Sequence, residues 1–113
     1  MAPSISALVD AGYIEAISVP QLSTFEAAIL VSRCEGIVPA PESAHAIRAA
    51  MDEALDAKEK GEERVILFNL SGHGNFDMGS YQAYLAGQLQ DFDYPQEKIE
   101  AAKETLPQVR VQV

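Results

Sequence analysis

The sequence predicts a single α/β domain built on a parallel sheet, and three observations lead there. Two apolar runs of strand type, residues 14–19 and 64–70, are separated by two helical patterns, and another helical pattern follows the second run. The run at 64–70 is nearly continuous in apolar residues, as a parallel strand covered on both faces should be. It leads into Ser71-Gly72-His73-Gly74, a loop of small polar residues. In open α/β sheets the turn at the carboxyl end of a strand is where ligands bind.

Each element has a local justification. Ser4 or Ser6 caps a short first helix through Ala7, Leu8 and Val9 that closes at Gly12,. Residues 14–19 alternate and stop at Pro20, as a strand would. Ser23 and Glu26 have the spacing of a capping box, opening a helix whose face carries Phe25, Ala28, Ile29 and Ser32 and which ends near Cys34-Glu35-Gly36,. Pro39 and Pro41 bias their predecessors toward extended geometry, so residues 36–41 form a taut connection. Pro41 and Glu42 suit the first turn of the next helix, with Ala44, Ile47, Met51, Ala54 and Leu55 as its apolar stripe and Gly61 as its end,. After the Ser71 loop, residues 78–89 form a helix with Tyr81, Tyr84, Leu85 and Leu89 in a row,. Residues 95–106 form a short acidic helix, and residues 109–113 alternate as a last strand or a frayed tail.

Composition narrows the function classes. Apolar residues make up 48% and charged residues 22%, the balance of a compact soluble domain,. Seventeen acidic against eight basic residues leave a formal charge of -9, which argues against a nucleic-acid or anionic-membrane partner,. The acidic stretches at 52–64 and 91–104 mix both signs and read as solvated helix faces. A lone cysteine, Cys34, forms no internal disulfide and reads as a small core residue; with no leader or membrane span, a cytoplasmic location is expected,.

The candidate chemistry centres on the loop. Gly72 and Gly74 let the backbone come close to a ligand, while Ser71 and His73 supply hydrogen-bonding groups. Ser71 reads as such a group rather than a nucleophile, because a serine next to a histidine in sequence is poorly placed for activation. Glu35, at a helix C-terminus, would have its pKa raised if it were buried. Glu42, His45 and Arg48 form a polar strip in which His45 bonds Glu42 or a backbone carbonyl. His45, His73, Cys34 and the carboxylates show no metal-ligand spacing, and a metal-dependent hydrolase on His73 and Asp77 has little behind it. No dinucleotide fingerprint, phosphate loop or nucleophile elbow occurs.

Two stretches, Glu35-Gly36-Ile37-Val38-Pro39-Ala40-Pro41-Glu42-Ser43-Ala44-His45-Ala46 and Phe68-Asn69-Leu70-Ser71-Gly72-His73-Gly74, closely resemble the C-terminal part of the tryptophan synthase β subunit. The resemblance is to the second, longer type of that family, whose loop reads Ser-Gly-His-Gly. Met1-Ala2-Pro3-Ser4, Gly12-Tyr13-Ile14-Glu15-Ala16 and the stretch from Phe76-Asp77-Met78 to Tyr94-Pro95 match it too. Nearly the whole chain is covered.

The resemblance implies a three-layer, Rossmann-like fragment of a fold-type II pyridoxal-phosphate enzyme with extra C-terminal helices. Its reaction would be β-replacement of serine with indole. It also implies that Ser71 hydrogen-bonds the cofactor's pyridine nitrogen, that Gly72, His73 and Gly74 wall the ring, and that Glu35 lies close to it. The family's Schiff-base lysine, phosphate cradle and substrate-handling acid lie upstream of the matched region. None of Lys58, Lys60, Lys98 and Lys103 looks like a buried Schiff-base lysine. The expected partner is therefore a separate N-terminal half, and the chain alone is expected to be inactive. The alternative is a free-standing, non-catalytic α/β module that binds a ligand or buries its apolar surface in a homo-oligomer.

Overall fold

A computed structural model describes residues 3–93 and 95–105 and shows five helices: α1 (Pro3–Asp10), α2 (Gln21–Glu35), α3 (Pro41–Lys60), α4 (Met78–Leu85) and α5 (Gln96–Glu104). The core forms where α2, α3 and α4 meet. Phe25, Ala28, Ala44 and Tyr81 are buried there, with Ile29, Val38, Tyr84 and Leu89 packed around them. The Tyr81 ring meets Phe25 edge-on at 5.2 Å, and Tyr84 stacks on the same ring at 5.6 Å. Such pairs add to the burial of the rings themselves. Arg48 ties α3 to α2 by reaching Glu26 at 3.4 Å while pairing with Asp52 at 2.6 Å.

The structure overturns the α/β expectation, and with it the three-layer, Rossmann-like reading. No strand or sheet occurs among the described residues, and the lone β-bridge joins Pro39 to His73. Residues 14–19 and 65–70 carry no helix, but they do not pair with each other, and neither run makes a backbone hydrogen bond within the described residues. An apolar run of strand type states what the segment can bury. A strand exists only when a neighbouring backbone completes its ladder. Val65 and Leu67 are fully exposed, at 102% and 95%, while Ile66 and Phe68 line an open groove against Ala46, Ala49 and Ala50 of α3. Compactness also fails: the radius of gyration is 17.4 Å, against roughly 13 Å for a compact domain of this length.

Several local expectations change. The capping box at Ser23 does not form, because α2 begins at Gln21 with Ser23 already inside and its hydroxyl donating to Pro20 O at 2.9 Å. The first turn is capped from a distance by the Leu22 N–H donating to Asp91 Oδ1 at 2.8 Å, and beside it the Gln21 side-chain Nε2 donates to Gln90 O at 3.1 Å. Ser4 lies inside α1 rather than at its start. Cys34 is exposed rather than in the core. On α3, Ala44 and Ile47 are buried as expected, whereas Leu55 is 52% exposed and Ser43 and Ala57 are buried in its place. Helix α4 stops at Leu85, four residues short, with Gly87 in the left-handed region (φ 68°) just beyond. Leu106 and residues 109–113 lie outside the described residues. No described helix is long and apolar enough to cross a membrane.

Candidate functional site

The site is assembled from the connection between α2 and α3 and the loop that precedes α4. Gly36 closes α2 at φ 71°, a left-handed conformation that glycine adopts without a Cβ penalty,. The chain then runs extended to Ala40, and Pro41 opens α3 with its fixed φ,. Residues 72–74 lie antiparallel along this connection. The Gly74 N–H donates to Val38 O at 2.8 Å, and the Ala40 N–H donates to Gly72 O at 3.0 Å. The Tyr81 hydroxyl donates to Pro39 O at 2.5 Å, pinning the connection from the α4 side. Burial raises the Tyr81 phenol above its ordinary range, with Asp77 adding to the effect,.

Gly74 is buried because a side chain has no room. A Cβ there would collide with Pro39 O and stand 2.9 Å from Tyr81 Cε2 and 3.0 Å from Val38 Cγ1. Its carbonyl accepts the Asp77 N–H at 2.9 Å, and Asp77 O accepts the Ser80 N–H at 2.9 Å as α4 begins. The loop is thereby held at both ends, and Ser71 is brought beside the first turn of α3. There the Ser71 and Ser43 hydroxyl oxygens are 3.2 Å apart, with Ser43 buried at 2% and Ser71 exposed. The partial positive charge at the N-terminus of a helix lies on the α3 side of this pair.

The predicted site residues divide into one group and one outlier. Ser71, Gly72, His73 and Gly74 form a continuous wall, open toward solvent at its first three members. His73 bridges to Pro39, its Nδ1 accepts the Asn75 N–H at 3.3 Å, and its ring lies 5.5 Å from the exposed ring of Phe76. Glu35 ends α2 in an exposed position, and its carboxylate makes no hydrogen bond or ion pair with a described residue. His45 lies 3.4 Å from Thr24 Oγ1 rather than bonding Glu42 or a carbonyl, and Arg48 turns to Asp52 and Glu26. Ser43 is the member that sequence reasoning missed. Its signal was its place in the first turn of a helix facing the loop, where a small polar residue that is buried needs a partner.

Elsewhere, a cleft of about 490 Å³ at the start of α2 is bordered by Ser18, Gln21, Gln90, Asp91 and Asp93. No group of three His, Cys, Asp or Glu side chains able to hold a metal occurs among the described residues. At the far end of α3, Arg64 gathers Glu53, Asp56 and Glu62, the first two at 2.9 Å. This anchors the start of the extended run to the helix.

For pyridoxal phosphate, the donor chemistry of the wall fits one end of the molecule. A neutral, exposed hydroxyl at Ser71 suits a pyridine nitrogen, and Gly72 leaves the approach free of side chain,. Lys58 and Lys60 stand at the end of α3 and Lys98 and Lys103 on α5, all exposed, with Lys60 held by Asp56 at 2.8 Å. The ring-nitrogen contact is therefore the part of such a site that these residues can supply.

No family model matches the chain. Among curated proteins, it is 61% identical over 90 residues to tryptophan synthase beta chain 2 of Aquifex aeolicus, covering 80% of this chain and 21% of that protein. It is 62% identical over 88 residues to tryptophan synthase beta chain 2 of Methanosarcina mazei, covering 78% and 20%. With the tryptophan synthase beta chain of Pyrococcus horikoshii it shares 55% identity over 93 residues, covering 82% and 20%. The chain thus spans about a fifth of the length of the relatives it matches. These 113 residues are a partial segment of the tryptophan synthase β family, matching the C-terminal part of its second type.

Proposed function

We propose that the chain is the C-terminal segment of a tryptophan-synthase-β-like enzyme and supplies the ring-nitrogen wall of a pyridoxal-phosphate site. The observation that carries this reading is the Ser71 loop, held onto residues 38–40 by two backbone hydrogen bonds with an exposed hydroxyl beside the start of α3. When bound, the cofactor would supply the electron sink for replacing the hydroxyl of serine by indole. Ser71 would donate to the ring nitrogen, a neutral contact that leaves the nitrogen unprotonated. The positive end of α3 works in the same direction, since it disfavours a second positive charge nearby. Gly72, His73 and Gly74 would form the wall along the ring, and the carboxylate of Glu35 would be brought to it by the rest of the enzyme.

The Schiff-base lysine and the phosphate cradle belong, in this reading, to upstream residues of the kind that make up the other four-fifths of the relatives. Those residues would also cover the exposed Val65, Leu67 and Phe76,. The segment would then work in the cytoplasm, where the exposed thiol of Cys34 stays reduced,. The test is an absorbance spectrum of the chain with pyridoxal phosphate, alone and with the upstream part of the Aquifex aeolicus β chain. A cofactor band that shifts on adding serine only in the mixture supports the reading. A mixture that forms no complex and shows no band removes it.

The exposed apolar run at 65–70 also favours a second reading, a non-catalytic module that buries this surface against another copy,. Sedimentation distinguishes the two. A stable homo-oligomer that ignores the upstream part supports the module, and a monomer that assembles with it supports the enzyme segment.

A further inference from the structure

We infer that Ser43 is a positioning residue that gives its hydroxyl proton to Ser71 and thereby keeps the Ser71 proton for an acceptor outside the chain. Ser43 is 2% exposed, and among the described residues its hydroxyl has one hydrogen-bond partner, Ser71 Oγ at 3.2 Å. Either hydroxyl of such a pair can be the donor, so the surroundings decide. A serine inside a helix ordinarily gives its proton to the carbonyl three or four residues earlier. For Ser43 these are Ala40 O, which accepts the Ala44 N–H at 3.0 Å, and Pro39 O, which accepts the Tyr81 hydroxyl. Neither receives Ser43. If Ser71 were the donor, the Ser43 proton would be left in a buried place without an acceptor, the more heavily penalised way to leave a polar group. With Ser43 as donor, every proton has a destination: Ser43 to Ser71, and Ser71 outward. The Ser71 oxygen, polarised by the bond it accepts, becomes a stronger donor in turn. The pair then selects an unprotonated aromatic nitrogen and disfavours a protonated one, which would need an acceptor.

This inference rests on the reading of Ser71 as the contact to the cofactor nitrogen, and the test separates the two. The assembled protein, this chain with the upstream part of the Aquifex aeolicus β chain, is loaded with pyridoxal phosphate labelled with ¹⁵N in the ring, and the nitrogen resonance is recorded. In Ser43→Ala the resonance should move downfield, toward a nitrogen without a hydrogen bond, and cofactor retention should weaken roughly threefold to tenfold. Ser43→Thr, which keeps the hydroxyl, should restore the wild-type resonance. Ser71→Ala should produce the full downfield shift. If Ser71→Ala moves the resonance and Ser43→Ala leaves it in place or moves it upfield, the donor direction inferred here is wrong while the Ser71 reading stands. If Ser71→Ala leaves it in place, or no complex forms, both are wrong.

Discussion

Replacing Gly74 by alanine should unfasten the loop from the α2–α3 connection, and the structure sets the size of the effect. The added Cβ would collide with Pro39 O and come within 2.9 Å of the Tyr81 ring and 3.0 Å of Val38 Cγ1. The first obstacle is backbone and the second a buried ring, so neither yields cheaply. Overpacking of this kind costs about 1–3 kcal/mol. Moving the loop away instead sacrifices the hydrogen bonds Gly74 to Val38 and Ala40 to Gly72, each worth about 0.5–1.5 kcal/mol. A loss of about 1–3 kcal/mol is expected, whichever way the strain is relieved. Urea titration of the 113-residue chain followed by circular dichroism measures it, with amide exchange at residues 40 and 74 reporting on the two bonds. Gly72→Ala is the internal comparison: among the described residues its Cβ meets only the Ala40 methyl, at 3.2 Å, and should cost under about 1 kcal/mol. A Gly74→Ala chain within about 0.5 kcal/mol of wild type, with both amides still protected, would refute the reasoning.

Other consequences can be checked in the same chain. Asp91→Ala removes the remote cap on Leu22 and should destabilise α2 by about 1 kcal/mol, with Asp91→Asn retaining most of it, as thermal unfolding of the two variants would show,. Tyr81→Phe should cost about 1 kcal/mol by leaving Pro39 O without its donor,. Because folding raises the Tyr81 pKa, its contribution is complete below the ordinary value of 10.0 and is lost as pH rises through the folded value; a pH series of melts should show that alkaline limb in wild type and not in the phenylalanine variant,. Asp56 behaves with the opposite sign. Its hydrogen bonds to Lys60 and then Arg64 lower its pKa, so its small contribution is present above 3.8 and lost as pH falls, and Asp56→Asn should flatten the acid limb of the same series,. Leu67→Lys should leave the isolated chain within about 0.5 kcal/mol of wild type, since the side chain is 95% exposed, yet prevent assembly with an upstream part in sedimentation,.

The helices, most of their ends and the loop with its family resemblance were determined by the sequence itself, because each rests on short-range physics. Pro41 begins α3 and Gly36 and Gly61 close α2 and α3 by their own backbone preferences, so four neighbouring residues suffice to recognise them,. Ser71-Gly72-His73-Gly74 was recognisable in the same way, as small polar residues after an apolar run. What only the tertiary structure decided depends on groups far apart in the chain. Whether residues 14–19 and 65–70 become strands turns on a neighbouring backbone, which an apolar run does not supply. The cap on α2 comes from Asp91, 69 residues away, and displaced the local box at Ser23. The buried partner of Ser71 is Ser43, 28 residues earlier, brought there by the bonds that lay the loop along Val38 and Ala40. A hydroxyl pair of this kind leaves no periodicity or spacing to read, because each half looks like an ordinary serine until folding places them together.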